Sequence, residues 1–290
     1  MANVYVSGTW LYCLCWYLLT CSTGAAAASN SFPSTVEFDL IFPRNNTKYA
    51  PGPLFPFVFA IQNSQHAAAL HPYLSYRAWR QDDYDGTLDE GKLDLTWANF
   101  SGSDPFFSYT GNHFSNVSKV EGTWVLAWET NVINCSHRSD EIGNGPKERR
   151  KPTLVIFTLE QGGQPPDLVA STQHGICDQD QEITTYTYNL TGEISDRIFG
   201  DNMAHRNSCA ILSPTLSSSH PPANPCAVKI DSVIASSISA AITATECSGS
   251  LHPVVSCPVQ KAATGRAGHF VTDGAIWFTV IFSCLTFILA

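Results

Sequence analysis

Segments of strand length with alternating apolar side chains run from residue 34 to about residue 213 of this 290-residue chain. In 36–42 the apolar residues share one face, while Glu37 and Asp39 point away from it, the pattern of a half-buried strand. Clusters of Gly, Pro, Asn or Asp separate the segments, as at turns. No segment of helical period interrupts them. The pattern predicts a mainly β fold, an antiparallel β-sandwich of about seven or more strands, with a closed barrel as the alternative.

Seven segments fit this strand pattern and carry the prediction. Pro56 favours an edge position for the second of them, because proline cannot donate to a strand ladder. The predicted strands are 36–42, 55–62, 73–80, 93–100, 123–129, 153–160 and 183–189. Together with the turns between them, they define a sandwich domain over 29–212.

The pattern changes after residue 212, where a Pro- and Ser-rich stretch, 213–226, is expected to form a strap without regular structure. Apolar residues then recur at helical spacing, which predicts one amphipathic helix over 227–246, with Pro225 at a position where a helix can start. The apolar face of this helix needs cover, from the sandwich or from a partner. Residues 247–263 have few side chains that could pack, which predicts a short stalk.

The first residues of the chain predict a signal peptide. No Lys, Arg, Asp or Glu precedes Glu37, and an apolar stretch, 11–21, is followed by four alanines. The apolar stretch is shorter than the roughly 20 residues that span a bilayer, which disfavours a membrane anchor. We expect residues 1–28 to be a signal peptide that is cleaved after Ala28.

The last residues predict attachment to a glycosylphosphatidylinositol (GPI) anchor. The run 275–290 is apolar and uncharged, and a polar spacer and a group of small residues precede it. This order matches a GPI-attachment signal, here 264–290, and Ala263 is the expected attachment site, with Ala262, Thr264 and Gly265 as alternatives. A C-terminal tail anchor is the competing interpretation. The prediction places the protein on the extracellular face of the plasma membrane or in the cell wall, with the outer membrane leaflet as a partner.

Cysteines and glycosylation sequons agree with a secreted protein. Six cysteines remain once both processing signals are removed, and they can form three disulfides in 15 ways. Pairing Cys135 with Cys177, Cys209 with Cys226 and Cys247 with Cys257 is the most local solution. Five N-x-[ST] sequons lie between the two signals and predict N-glycosylation; they are Asn45, Asn99, Asn116, Asn134 and Asn189.

Motifs that would specify an enzyme are missing, and the composition disfavours nucleic acid as a partner. The formal net charge is −9, whereas nucleic-acid-binding domains are basic. An EF-hand register fails in the acidic segment 81–94, which is expected to be a solvated turn, and the histidines form no H-E-x-x-H motif. Glu121 and Glu129 flank Trp124 and Trp128, as at a sugar-processing site, but the spacing favours two tryptophans in the core. No catalytic residue, metal site or cofactor is predicted.

Three stretches resemble a family of fungal secreted proteins recognised as an uncharacterised domain. They are VEFDLIFPRNNTKYAP at 36–51, FPFVFAIQN at 55–63 and NPCAVKIDSVIASSISAAITATEC at 224–247. The resemblance covers 32–247 and implies a secreted, often GPI-anchored protein, but it implies no activity and no catalytic residue.

These observations lead to one main expectation about function and one alternative. We expect a cell-surface, GPI-anchored, N-glycosylated β-sandwich protein with a non-catalytic role in binding or in cell-wall organisation. Its expected partner is a cell-wall glycan or another surface protein. The alternative is a glycan-active hydrolase or transferase, because acidic and aromatic residues are the side chains that such a site would use.

Overall fold

Two β-sheets face each other across an apolar core. The computed structural model describes residues 34–114, 120–135, 147–149, 151–173, 185–195, 209–213 and 223–258; all of these except Pro258 belong to one compact unit. The strands are β1 Ser34–Phe42, β2 Thr47–Tyr49, β3 Phe55–Gln62, β4 Tyr73–Arg80, β5 Asp89–Asp94, β6 Phe106–Asn112, β7 Gly122–Ile133, β8 Lys147–Arg149, β9 Thr153–Leu159, β10 Thr185–Ser195 and β11 Cys209–Leu212. The α-helices are α1 Tyr84–Thr87 and α2 Ser232–Gly249, and short 3-10 helices lie at Ser64–Leu70, Ala170–Thr172 and Pro225–Ala227.

The strands form two sheets. Sheet 1 has the order β11-β10-β1-β3-β6 and is antiparallel throughout. Sheet 2 has the order β2-β9-β7-β4-β5, with β8 beside β7, and only its β2–β9 pair is parallel. The described strands form no closed barrel, and the predicted sandwich with a C-terminal helix is confirmed.

Aromatic side chains from both sheets fill the space between them. Phe55 of sheet 1 stacks on Phe157 of sheet 2 at 5.1 Å between ring centroids. Phe59 meets Trp128 at 5.3 Å, and Trp128 meets Tyr186 at 4.7 Å. Such pairs add to the free energy gained by burying their large apolar area. The prediction that Trp124 and Trp128 are core residues is confirmed, because both are fully buried.

Strand β1 is buried on both faces, so the prediction of a half-buried strand, with Glu37 and Asp39 on its open face, is wrong. Glu37 is 6% exposed and Asp39 is fully buried. The cause lies far along the chain, where the segment that precedes α2 covers them, with the Asn224 N–H donating to Glu37. Alternation within a strand shows which residues share a face, but it does not show whether a distant segment covers that face.

Two local strand predictions are also wrong. The predicted strand 93–100 lies at Asp89–Asp94 instead, and the apolar residues after it form a loop. Strand β3, which contains Pro56, is an inner strand between β1 and β6. Pro56 is tolerated because the β1–β3 ladder ends at the pair Phe42–Val58, so the missing N–H interrupts no hydrogen bond to β1.

Helix α2 begins later than predicted, at Ser232, because Asp231 caps it. The Asp231 carboxylate accepts hydrogen bonds from the N–H groups of Val233 and Ile234 at 2.9 and 2.8 Å. The buried stripe of the helix is narrow: it comprises Ile238, Ile242 and Glu246. Within the described part of the chain, no helix combines the length and the apolar character needed to cross a membrane.

Two of the three predicted disulfide pairs are wrong. Cys135 bonds to Cys209, so the pairs Cys135–Cys177 and Cys209–Cys226 are wrong, whereas Cys247 bonds to Cys257 as expected. Sheet topology explains the long-range pair, because the N–H of Cys135 donates to Ala210 O of β11 at 3.0 Å. Cys226 is also disulfide-bonded, and Cys177 lies outside the described residues.

Candidate functional site

A cleft opens where the edges of the two sheets meet. Strand β6 is the last strand of sheet 1 and β5 is the last strand of sheet 2, and residues of both line a cavity of about 630 Å³. The C-terminal half of α2 forms the third wall. This volume lies within the range of small-molecule sites. We call this cavity the edge cleft.

The walls of the edge cleft are part apolar and part polar. The apolar side chains are Leu54, Leu88, Phe114 and Ile242. The polar side chains are Tyr76, Thr87, Asp89, Thr110, Asn112, His113, Thr245, Glu246 and Ser250. No Lys or Arg lines it among the described residues. The cleft can therefore contact an apolar surface and offer hydrogen bonds to the same ligand.

A glycine allows the helix to close this cleft. A Cβ atom added to Gly111 of β6 would lie 2.5 Å from Cγ2 of Ile242, which is far inside van der Waals contact. Only glycine lets the isoleucine of α2 rest on the backbone of β6 at this point. The contact fixes the position of the helix, and with it the position of Glu246 one turn later.

His113 and Glu246 form the central polar pair of the cleft. His113 Nε2 lies 2.6 Å from Glu246 Oε2, and the other oxygen, Oε1, accepts the N–H of Val254 at 3.2 Å. Glu246 is 7% exposed. The Cys247–Cys257 disulfide closes the segment that carries Val254. Because both carboxylate oxygens are engaged, Glu246 is fixed in the cleft and holds the imidazole in place.

Asp89 faces the same cavity without such support. Burial raises the pKa of its carboxyl above the ordinary value, and the nearby charge of His113 only partly opposes that effect. Burial likewise raises the pKa of the Tyr76 hydroxyl, against a hydrogen bond with the side chain of Thr110. The ring of Tyr76 lies over Gly91 of β5, where any side chain would clash with it. The cleft thus contains an imidazole, two carboxyls and a phenol.

This arrangement suits binding and acid–base chemistry better than metal coordination. Across the described ranges, no three His, Cys, Asp or Glu side chains converge at metal-ligand distances. The groups that line the cleft can donate and accept protons and hydrogen bonds, which are the interactions that orient a polar ligand in a small site.

A second polar cluster lies on the outer face of sheet 1. Gln62 Nε2 donates to Glu37 at 3.0 Å and to Asp39 at 2.9 Å, and the Asn224 N–H donates to Glu37 at 2.9 Å. Thr185 Oγ1 donates to Asp39 at 2.8 Å. Burial, and then the charge of Glu37, raise the pKa of Asp39 well above its ordinary value. This cluster fastens the segment before α2 to strand β1.

The predicted glycosylation sites differ widely in exposure. Asn99 is exposed, Asn45 is half-buried, and Asn134 and Asn189 are buried. Asn116 lies outside the described residues. Among the four described sequons, Asn99 is the most exposed.

The buried sequons have internal partners. The side-chain oxygen of Asn134 accepts the N–H of Leu212 at 3.1 Å, and that of Asn189 accepts the hydroxyl of Thr35 at 2.8 Å. Each side chain therefore helps to hold its strand in the folded protein. The predicted attachment site Ala263 and the signal peptide 1–28 lie outside the described residues.

Glu121 and Glu129, the carboxylates considered for sugar chemistry, do not face each other across a cleft. Glu121 directly precedes β7 and Glu129 lies within it. Eight residues of extended strand separate their Cα atoms by about 26 Å, far beyond the ~5 to 9.5 Å of a glycosidase pair. Neither lines the edge cleft.

Sequence reasoning missed most of the edge cleft. Asp89 belongs to the acidic segment that was expected to be a solvated turn. Tyr76 lies in β4, His113 directly after β6, and Glu246 in α2. No short motif joins them. The one local signal was Glu246, a charged residue on the otherwise apolar stripe of the predicted helix.

Comparison with known proteins gives a family. Residues 31–257 match the family model described as a domain of unknown function (DUF7136). The chain belongs to this family. The match spans both sheets, α2 and the Cys247–Cys257 disulfide, so the edge cleft lies wholly within the DUF7136 domain. Searches of the curated proteins and of the solved structures each gave no match.

Proposed function

We propose that this protein is a fungal, GPI-anchored, N-glycosylated surface protein whose DUF7136 domain binds an oligosaccharide of the cell wall in the edge cleft. The role is binding or wall organisation, without catalysis. The observation that carries the proposal is the cleft itself, about 630 Å³ in volume, with apolar and hydrogen-bonding walls.

The two kinds of wall match the two kinds of surface on a sugar. A pyranose ring has apolar C–H faces and a rim of hydroxyl groups, so it gains from both apolar contact and hydrogen bonds. Leu54 and Leu88 supply apolar area, while Thr110 and Thr245 supply polar groups nearby. A few well-placed polar groups in a mainly preformed pocket are typical of small-ligand sites.

Display at the cell surface rests on the two ends of the sequence and on its cysteines. Residues 1–28 have the pattern of a signal peptide, and 264–290 that of a GPI-attachment signal after Ala263. Disulfides such as Cys135–Cys209 suit an oxidising compartment. Asn99 is exposed and available to carry a glycan.

Binding is tested with the protein secreted by a eukaryotic host, on a glycan array followed by calorimetry. Thr245→Trp places a large ring in the wall of the cleft, and we expect it to weaken binding about tenfold or more, since it fills the space a ligand needs. Ser248→Trp is the matched control, because Ser248 is exposed on the same helix but lies outside the cleft lining. Binding that survives Thr245→Trp would place the glycan site elsewhere.

Surface attachment has its own test. Protein released from intact cells by a phosphatidylinositol-specific phospholipase is expected to start near Ser29 and to end near Ala263 with a glycan-lipid remnant. Mass spectrometry after glycan removal measures both ends. A chain that still carries residues 275–290 would contradict GPI attachment.

A glycan-active hydrolase or transferase is the second candidate. It is favoured by one observation, that Asp89 and Glu246 line the same cleft as His113. A proton donor and a proton acceptor across a sugar site are what glycoside hydrolysis requires. Incubation with the oligosaccharides that bind, followed by chromatography of the products, separates the two candidates: shortened or lengthened chains indicate an enzyme, and unchanged ligand indicates a binding protein.

A further inference from the structure

We infer that the edge cleft selects oligosaccharides that carry a protonated amino group, of the glucosamine type, over neutral and N-acetylated ones. The inference rests on the proposed function, because it names the class of glycan that the same cleft takes. It is carried by the distribution of charge in the cavity.

The edge cleft contains more acidic than basic side chains. Two carboxyls, Asp89 and Glu246, line it together with one imidazole, His113, and neither Lys nor Arg is present among the described lining residues. His113 Nε2 is 2.6 Å from Glu246 Oε2, so the imidazole of the described lining is already engaged by the buried carboxylate. When these two groups form an ion pair, the charge of Asp89 is left over.

Asp89 is the group that lacks a partner. Glu246 uses both oxygens, one on His113 and one on the N–H of Val254. The Asp89 side chain has no hydrogen bond or ion pair to another described residue, and it is partly buried at the start of β5. A partly buried carboxylate without a partner loses hydration and gains little in return.

A ligand cation would offset that loss. The raised pKa of Asp89 records that burial outweighs the favourable charge of His113. An ammonium group next to the carboxylate would form a charge-assisted hydrogen bond in a site that excludes part of the water. Thr110 and the Tyr76 hydroxyl line the same cavity and can bind the hydroxyl groups of the sugar that carries the amine.

An N-acetyl group would not do the same. Acetylation removes the charge and replaces a cationic donor by a neutral amide, so the pair with Asp89 would shrink to an ordinary hydrogen bond. A neutral glucose unit offers only hydroxyls. The charge of the cleft therefore favours the free amine over both, while the apolar walls contribute similarly to all three.

Three trimers with the same β-1,4 linkage test the inference by calorimetry: glucosamine, N-acetylglucosamine and glucose. We expect the glucosamine trimer to bind about tenfold or more tightly than the other two. Asp89→Asn keeps the shape of the side chain and is expected to reduce the affinity for the glucosamine trimer to that for the glucose trimer. Asp85→Asn is the matched control, since Asp85 is exposed in α1 and does not line the cleft.

Salt gives a readout that needs no variant. We expect the affinity for the glucosamine trimer to fall as sodium chloride rises, and the affinity for the glucose trimer to stay constant. This measurement on the unaltered protein decides the inference even if Asp89→Asn does not fold. Thermal unfolding shows whether the Asp89→Asn protein is folded.

The outcomes separate the inference from the proposed function. If the three trimers bind equally, or if the N-acetylated trimer binds best, the inference is overturned and glycan binding stands. Preference for the amine that persists unchanged in a folded Asp89→Asn protein also overturns it. If neither the trimers nor any glycan on the array binds, the proposed function fails and the inference fails with it.

Discussion

Burial and the neighbouring Glu37 carboxylate both raise the pKa of Asp39, and burial also raises the pKa of Glu37. Asp39 and Glu37 are hydrogen-bonded to each other, and Glu37 also accepts the N–H of Asn224. The folded protein thus binds a proton more tightly at this pair, beside the contact between β1 and the segment before α2.

This proton makes the stability of the domain depend on pH. A carboxyl whose pKa is raised in the folded state binds its proton more tightly there than in the unfolded state. The free energy of unfolding therefore falls as pH rises from the ordinary value of 3.8 through the raised pKa, by up to about 1.4 kcal/mol per pH unit for one proton.

Asp39→Asn is expected to remove much of this slope, because asparagine can donate to Glu37 without titrating. Denaturant unfolding at a series of pH values measures it. The exposed Asp85→Asn serves as the control and should keep the slope of the unaltered protein. A variant at position 39 with an unchanged slope would contradict the assignment of the proton.

At the scale of elements, the packing of α2 on β6 depends on a glycine. Ile238 and Ile242 are the apolar residues of the buried stripe of the helix, and Ile242 rests on Gly111. A side chain on the strand or a different residue on the helix would move the wall of the edge cleft. The contact therefore links the stability of the helix to the shape of the cavity.

Gly111→Ala is expected to destabilise the domain by about 1–3 kcal/mol, because the added methyl overpacks the contact with Ile242. Denaturant unfolding measures the loss, and Ile242→Ala in the same chain should reduce the cost of the glycine substitution, since it removes the clashing atom. Gly102→Ala is the matched control: its added Cβ meets only Asn99 O at 4.0 Å. Equal costs with and without Ile242 would contradict this account.

The strands were predictable where a strand is bounded by turn residues and shows period-two alternation. Segments 55–62 and 73–80 were predicted with the bounds that β3 and β4 have. Strand β5 was not, because Glu90, Lys92 and Asp94 make its outer face charged and only Leu93 is a large apolar residue. Its pairing with β4, as Tyr76 with Gly91, is what defines it.

The site was less predictable than the fold. Local sequence patterns predict secondary structure. His113, Asp89 and Glu246, in contrast, come together only because the edges of both sheets and the C-terminal helix α2 meet at the edge cleft. The same reason explains the wrong disulfide pairs: Cys135 and Cys209 are 74 residues apart, and only strand pairing brings them together.

For the molecule as a whole, the Cys135–Cys209 disulfide joins the segment directly after β7 of sheet 2 to β11 of sheet 1. It closes a long loop, with a separation of 74 residues, whereas Cys247–Cys257 closes a loop with a separation of 10. A longer loop restricts the unfolded chain more, by about 4 kcal/mol against about 3 kcal/mol in the chain-entropy estimate.

Replacing both cysteines of the long-range bond with alanine is expected to lower the free energy of unfolding more than the same change at Cys247 and Cys257. Urea unfolding of the two double variants, each compared with the unaltered protein, measures the difference. If removing Cys247–Cys257 lowers the free energy of unfolding more, the disulfide between the sheets stabilises the protein less than its loop length predicts.

The same disulfide has a mechanical consequence for the cleft. Sheet 1 is fastened to sheet 2 at its β11 edge, and the edge cleft lies at its opposite edge, beside β6. Because the covalent link holds sheet 1 at β11, we expect any displacement of sheet 1 relative to sheet 2 to be smallest at β11 and largest at β6. A change in the spacing of the sheets would therefore alter the width of the edge cleft more than the distance between the two bonded cysteines.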